Sequence, residues 1–282
     1  MHLKKPARLP VNKKEKPIGV FDSGIGGLTV LKEIFRELPY ESTIYLGDTA
    51  RVPYGIRSPE TVTRYSSENV RFLVSQDIKA LVIACNTASS VSLEAIRGMV
   101  SVPVAGVIDP GAKTAAASTK NKKVCVIGTA ATIKSGSYSR AIKAIDPGIE
   151  VFGLACPLFV PLVEEGWTEG RIVSMIAEKY LENIKDKDID TLVLGCTHYP
   201  LLKKVISEAI GQKVNLIDSA IETANEIRRI LGALSLLKDS AIDSFRKFYV
   251  TDSPDRFQEV GENFLGEKIN YIKKIELETE AA

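Results

Sequence analysis

The chain has 282 residues, of which 45% are apolar and 26% are charged, and its net charge is +2. A chain of this length can bury a large core in one or two domains, and no apolar stretch approaches the roughly 18 residues that a membrane span needs. The N-terminus lacks the apolar segment of a secretory signal, so we expect a cytoplasmic protein with no membrane association.

Positive charge is concentrated at the N-terminus. Residues 1–16 contain six lysines and arginines against one acidic residue, Glu15, so the remaining 266 residues carry a net charge of −3. We therefore predict that residues 1–16 form a disordered basic tail. The acidic balance of the remaining residues gives no electrostatic reason to expect nucleic-acid binding.

Short apolar runs rich in valine and isoleucine recur along the chain and predict strands that are buried on both faces. The runs are Ile18–Phe21, Ile44–Leu46, Ala80–Ala84, Val104–Ile108, Val124–Ile127, Val151–Leu154, Thr191–Leu194 and Val214–Ile217. Helix-like segments lie between them, so the order of elements predicts an α/β fold of the doubly wound type.

Three of the intervening helices are indicated by apolar spacing or by start signals. Apolar residues repeat at helical spacing from Leu28 onward. Ser58 followed by Pro59 predicts a capped helix start with proline at its first position. The segment Ser219–Glu222 predicts a capping box for a helix that runs to about Leu237.

The chain contains a weak internal repeat. The segment Leu81–Thr87 resembles Leu192–His198, at an offset of 111 residues. A second pair of segments, Val107–Asp109 and Leu216–Asp218, repeats at an offset of 109 residues. The repeat indicates two similar α/β units related by a pseudo-twofold axis.

The four cysteines are far apart and form no CxxC pair, so we expect all of them to be reduced. Cys85 and Cys196 occupy equivalent positions in the repeat, each at the end of a strand, where ligands bind in open α/β sheets. Inert burial is the alternative for any single cysteine, but two equivalent ones favour a functional pair. Cys125 and Cys156 show no such context, and we predict that they are core residues.

His198 lies two residues after Cys196 and could help to ionise its thiol, although a purely structural histidine is the alternative. Zinc is not favoured, because the spacing of cysteine and histidine does not fit a zinc site. Asp22 stands in a glycine-rich turn that resembles a phosphate loop but lacks its lysine. A carboxylate there opposes phosphate binding and suits a role in proton transfer.

The sequence resembles the glutamate racemases, members of a cofactor-independent aspartate/glutamate racemase family, from residue 17 to about 275. Five motifs carry the resemblance, in the family's order. They are PIGVFDSGIGGL (17–28), GDTARVPYG (47–55), ACNTA (84–88), CPLFVPLVE (156–164) and GCTHYPL (195–201).

The resemblance implies two α/β domains with the active site between them, one formed by 17–110 with 219–282 and the other by 111–218. It implies that Cys85 and Cys196 act as the two acid/base groups. Asp22 would assist Cys85 and His198 would assist Cys196, with Glu164 nearby.

The resemblance also predicts the substrate, glutamate, and the residues that contact it. These are Asp22, Ser23, Tyr54, Gly55, Asn86, Thr87, Thr129, Thr197 and His198, with Thr132 as a weaker candidate. No pyridoxal phosphate, nicotinamide or metal ion is expected, and the family implies a homodimer. The product D-glutamate would supply peptidoglycan synthesis and thus cell-wall biogenesis and cell shape.

Three other functions remain open at this point. An aspartate-type racemase would share both cysteines, but the motifs around Pro53–Gly55 and Cys196–Pro200 favour glutamate. A regulatory protein that binds a DNA topoisomerase would depend on the basic tail. A cysteine–histidine hydrolase would leave Cys85 and the repeat without a role.

Overall fold

The computed structural model describes residues 12–278. Within them the strands are β1 (Ile18–Asp22), β2 (Thr43–Gly47), β3 (Ala80–Ile83), β4 (Val104–Gly106), β5 (Lys123–Gly128), β6 (Glu150–Ala155), β7 (Thr191–Gly195), β8 (Asn215–Asp218), β9 (Arg246–Val250) and β10 (Ile272–Lys274). Helices alternate with these strands along most of the chain, as expected for an α/β protein.

The α-helices are α1 (Leu28–Glu37), α2 (Pro59–Ser75), α3 (Asn86–Met99), α4 (Ile108–Ser118), α5 (Ala130–Ser135), α6 (Ser137–Ile145), α7 (Phe159–Glu164), α8 (Arg171–Lys185), α9 (Lys203–Ile210), α10 (Ser219–Ala233) and α11 (Pro254–Leu265). Short 3-10 turns occupy Lys13–Glu15, Tyr54–Ile56 and Tyr199–Leu202.

The strands form two separate parallel sheets. The first has the order β10-β9-β2-β1-β3-β4 and the second has the order β6-β5-β7-β8. Every recorded strand pair is parallel. The predicted fold class, two doubly wound α/β units, is therefore confirmed. The exact domain boundaries stay a prediction, and we refer below to the units around the two sheets as the first and second domains.

The centre of each sheet is covered on both faces. All residues of β1, β2, β3 and β7 are buried, because helices pack on either side of the sheet. Polar residues appear where these strands end, since the chain there leaves the apolar layer. Ser23, Thr129 and Cys196 directly follow β1, β5 and β7, and Cys85 follows β3 by two residues.

Two strands and one helix after Ala233 were absent from the sequence-based prediction. Two of the three residues of the edge strand β10, Ile272–Lys274, are exposed lysines, and β9 begins with Arg246 and Lys247. Neither segment is a continuous apolar run, because strands near a sheet edge need not be apolar on both faces. The first domain consequently has a six-stranded sheet.

The helix starts were predicted with mixed success. Ser58 caps α2 as predicted, its hydroxyl accepting from the backbone N–H of Thr61. The predicted capping box at Ser219–Glu222 was wrong, since Asp218 is the N-cap and its carboxylate accepts from Ala220 N at 3.0 Å. The same helix ends at Ala233 rather than near Leu237.

The basic segment at the N-terminus lies mainly outside the described residues. Residues 12–16 are described, and they contact the rest of the chain. Lys14 pairs with Asp239 at 2.9 Å, and Lys16 pairs with Asp77 at 2.6 Å. The buried Lys79 donates to the carbonyl of Lys14 at 2.6 Å, so these residues are held against the first domain.

Within residues 12–278, no helix combines the length and the apolar character needed to cross a membrane.

Candidate active site

One cleft of about 330 Å³ brings together most of the predicted site residues. The predicted residues that line it are Ser23, Tyr54, Gly55, Cys85, Asn86, Thr87, Thr129, Glu164, Cys196, Thr197 and His198. They come from the carboxyl ends of strands in both sheets, where an open α/β fold places its ligands. The cleft therefore lies between the two domains and takes one cysteine from each.

Cys85 caps the N-terminus of α3. Its sulfur accepts a hydrogen bond from the backbone N–H of Ala88 at 3.4 Å and lies 3.6 Å from the hydroxyl of Ser23. Burial, and secondarily the negative charge of Asp22, raises the pKa of Cys85 to about 12. Cys85 is therefore a protonated thiol at neutral pH.

This raised pKa makes Cys85 slow to alkylate. At pH 8 its thiolate fraction should be about 10³-fold below that of a thiol with the usual pKa near 8.5. The rate of its reaction with iodoacetamide should rise about tenfold per pH unit between pH 8 and pH 11, as measured by peptide mass spectrometry at low extents of modification. A rate that levels off near pH 8.5 would contradict this assignment.

Asp22 lies behind the cleft rather than in its wall. The residue is 1% exposed, and its Oδ2 accepts from the backbone N–H of Gly24 at 2.9 Å, whereas Oδ1 has no hydrogen-bond partner in the part of the chain that the structure describes. Burial raises the pKa of Asp22 despite its backbone hydrogen bonds. The geometry favours the predicted role beside Cys85 over the predicted direct contact with substrate.

Cys196 begins a chain of polar groups in the second domain. Its sulfur lies 3.8 Å from Nδ1 of His198, and Nε2 of the same ring lies 3.0 Å from Oε1 of Glu164. Burial alone would lower the pKa of His198, but Cys196 and Glu164 outweigh it and raise this pKa to about 10. Cys196 thus lies beside a cationic side chain, whereas Cys85 lies near an anionic one.

Three threonine hydroxyls meet at the boundary between the domains. Thr87 Oγ1 lies 3.0 Å from Thr129 Oγ1, which is itself 3.0 Å from Thr132 Oγ1. Thr129 caps α5 and lines the cleft, while Thr132 lies behind it. A β-carbon added at Gly55 would stand 2.9 Å from Cβ of Thr129, so only glycine allows this approach.

The glycine-rich turn after β1 also contacts the second domain. Thr29 Oγ1 donates to the carbonyl of Thr197 at 2.9 Å. A β-carbon on Gly26 would overlap the hydroxyl of Thr197 and lie 2.5 Å from the ring of His198. The turn that resembles a phosphate loop therefore serves as a close contact between the domains.

Tyr54 lines the cleft, but its hydroxyl points into the protein. It donates to Asp48 and accepts from Asn69 Nδ2 at 3.1 Å. Arg51 pairs with Asp48 at 2.7 Å and also with Glu68, and these bonds hold the turn at residues 52–56. Any contact of Tyr54 with substrate must therefore use its backbone or the edge of its ring.

The sequence analysis missed the apolar part of the cleft wall. It consists of Ile25, Val52, Pro53, Ile56, Ala130, Pro157, Val160 and Pro161. Such residues carry no chemical signal in a sequence, since the same types fill any core. They matter because an apolar wall excludes water and strengthens the electrostatic interactions inside the cleft.

Cys125 and Cys156 lie in the core, fully buried and outside the cleft. We expect Cys125→Ala and Cys156→Ala to keep the racemase activity that the resemblance predicts, and to lose about 1 kcal/mol of unfolding free energy from the lost sulfur. Urea denaturation and a chiral activity assay test this expectation. A folded but inactive Cys156→Ala variant would place the chemistry on a different pair of thiols.

Fold and site together define a two-domain parallel α/β protein whose interdomain cleft holds one thiol from each domain. Residues 18–227 match the model of the Asp/Glu/Hydantoin racemase family. The chain belongs to this family, which confirms the resemblance noted in the sequence. It is an amino-acid racemase, and the family is cofactor-independent.

Several relatives match over nearly their full length. A glutamate racemase from Geobacter metallireducens is 56% identical over 265 residues, which cover 94% of this chain and 98% of the relative. Glutamate racemase isoform RacE1 from Bacillus anthracis gives a TM-score of 0.90 at 42% identity, covering 93% of this chain and 98% of that one. The enzyme from Francisella tularensis subsp. tularensis, solved in complex with D-glutamate, gives 0.88 at 39% identity with the same coverage.

Proposed function

We propose that this protein interconverts L- and D-glutamate by moving protons between the α-carbon and two thiols, those of Cys85 and Cys196. The observation that carries the proposal is their placement. Cys85 follows β3 and Cys196 follows β7, each an interior strand of its own sheet, and both cysteines line one cleft. Glutamate is supported by the relatives named above, including one solved with D-glutamate.

Two bases suit a racemisation better than one. A proton must leave one face of the α-carbon and another must arrive at the opposite face, so a single base would have to cross the plane. Two thiols from opposite domains need not move. No pyridine ring is available as an electron sink, so fixed donors must stabilise the charge that develops on the α-carboxylate. Thr87 and Thr197 line the cleft and can supply such donors.

The two thiols differ in their charged neighbours, and this difference supports a division of labour. Cys85 is held as a thiol by burial and by Asp22, whereas Cys196 lies beside a protonated His198. We therefore assign Cys196 as the base and Cys85 as the acid for L-glutamate. Cys196 would take the proton from L-glutamate, and the reverse reaction would begin with the proton on Cys196.

The wider role follows from the product. We propose that the protein acts in the cytoplasm as a homodimer and supplies D-glutamate for peptidoglycan synthesis. Sedimentation velocity tests the dimer, with a single monomeric species as the contrary result. Growth of a deletion strain only with added D-glutamate tests the cellular role, and unaided growth with normal peptidoglycan would contradict it.

In the central experiment, the purified, dialysed protein is incubated with L-glutamate in deuterated water. Both enantiomers are then measured over time by chiral chromatography with mass detection. D-glutamate should form with deuterium at the α-carbon, while the remaining L-glutamate stays mostly unlabelled at early times. L-aspartate in parallel tests the aspartate-type alternative. Conversion of L-aspartate alone would overturn the choice of substrate, and equally fast labelling of recovered substrate and product would overturn the two-thiol mechanism.

A further inference from the structure

Within the described residues, the side-chain amide of Asn86 has a hydrogen-bond partner at only one of its two polar atoms. The residue begins α3, lines the cleft and is 3% exposed. Its Oδ1 accepts a hydrogen bond from the hydroxyl of Tyr138 at 2.8 Å, whereas its Nδ2 has no partner among residues 12–278. A buried donor without an acceptor is costly and rare in native proteins, which indicates that a ligand completes it.

The direction of this amide is critical, because its two ends have nearly the same shape. With Nδ2 toward the cleft, Asn86 offers two N–H donors to an anion, and with Oδ1 toward the cleft it would repel that anion. The backbone and the rotamer do not distinguish the two states. A hydroxyl that donates to Oδ1 favours the state in which Nδ2 faces the cleft.

Tyr138 is suited to this selection. Its side chain is buried, and it lies on α6 in the second domain, across the boundary from Asn86. Burial raises the pKa of Tyr138, so its hydroxyl stays protonated, and it also interacts with Ser219. The tyrosine contacts the far end of the Asn86 amide and is not part of the cleft wall.

We propose that Tyr138 is a positioning residue that fixes the amide of Asn86 with its Nδ2 donor facing the cleft, where the donor binds a carboxylate of the substrate. The inference depends on the proposed function, since it takes a dicarboxylate amino acid as the ligand. The inference also requires contact between the domains, because Tyr138 lies in the second domain and Asn86, which it orients, lies in the first. Nδ2 of Asn86 is held toward the cleft only while the two domains are in contact at Tyr138.

The test is Tyr138→Phe, which removes one oxygen and keeps the ring in place. We expect kcat/KM for glutamate to fall by about 10- to 100-fold, as for the loss of a hydrogen bond to a charged group. The loss should appear mainly in KM, because the carboxylate carries its charge before and after the α-proton leaves. Tyr180→Phe is the matched control, since it removes a phenol hydroxyl from the same domain outside the cleft, and its KM should be unchanged.

A double-mutant cycle separates positioning from general damage. In an Asn86→Ala background, adding Tyr138→Phe should cause no further loss of kcat/KM, because there is no amide left to orient. Additive losses, or an unchanged KM in Tyr138→Phe, would overturn the positioning role. Wild-type protein in the same assay distinguishes the two proposals. A wild type that does not racemise glutamate would contradict the proposed function, whereas an active wild type leaves the positioning role of Tyr138 to be decided by the variants. Thermal melts show whether each variant is folded, and Asn86→Ala alone should raise KM at least as much as Tyr138→Phe.

Discussion

Replacing Cys85 or Cys196 by alanine should lower kcat by about 10³-fold or more in both directions, L to D and D to L. Each direction needs one thiolate as base and one thiol as acid, so neither can proceed with a single sulfur. Both residues are 5% exposed and small, so the substitution should leave the fold intact. Chiral chromatography started from each pure enantiomer measures the two rates.

Cys125→Ala is the matched control for this loss, since it removes an equally buried sulfur from β5, outside the cleft. It should keep near-wild-type rates in both directions. If Cys85→Ala slowed only one direction, the second proton would have to come from another group, and the symmetric two-thiol scheme would be wrong. A slow exchange of the α-proton with solvent, without inversion, is compatible with a single remaining thiol.

Gly26→Ala should reduce kcat/KM by about 100-fold, although Gly26 carries no chemical group. An added β-carbon would overlap the hydroxyl of Thr197 and press against the ring of His198. Since the backbone of Gly26 is not in the left-handed region, alanine adds no strain of its own there. The side chains on the second domain must shift, and displacing a catalytic group by about 1 Å costs a rate factor of this size.

Gly98→Ala provides the control, because nothing lies within 4 Å of a β-carbon at Gly98 in α3. Alanine there favours the helix and should leave kcat/KM unchanged while raising the unfolding free energy by up to about 1 kcal/mol. In Gly26→Ala kcat/KM should therefore fall, whereas in Gly98→Ala kcat/KM should stay unchanged and the unfolding free energy, measured by urea denaturation, should rise. A Gly26→Ala variant with normal kinetics would show that the contact with His198 is too loose to position it.

The sequence predicted the residues that carry the chemistry of the site better than the residues that position them. Cys85 and Cys196 could be found because a repeat placed both at strand ends, where parallel sheets bind ligands. The prediction for the pair thus depended on local patterns. Tyr138 could not be found in this way, since its contact with Asn86 joins residues from different domains and no periodicity links them.

The same distinction applies to the fold. Central strands such as β1 and β7 are continuous apolar runs, so the sequence alone located them. The strands β9 and β10 lie at one side of the sheet and contain lysine and arginine, so their apolar signal is weak. At α10 a correct helix was assigned the wrong cap, because Glu222 accepts from Thr114 at 2.7 Å instead of closing a capping box. Tertiary partners overrode the local rule.

The order of the strands has a consequence for how the chain folds during synthesis. The sheet of the second domain is built from one continuous segment, residues 123–218, whereas β2 in the first domain pairs with β9, where Thr43 lies beside Arg246. Pairing over so long a loop is slow, so we expect the first domain to be completed last. Until β9 emerges from the ribosome, β2 presents an open apolar edge to which other chains can add. Chains that stop before Arg246 should therefore aggregate, even though every residue that lines the cleft has already been made.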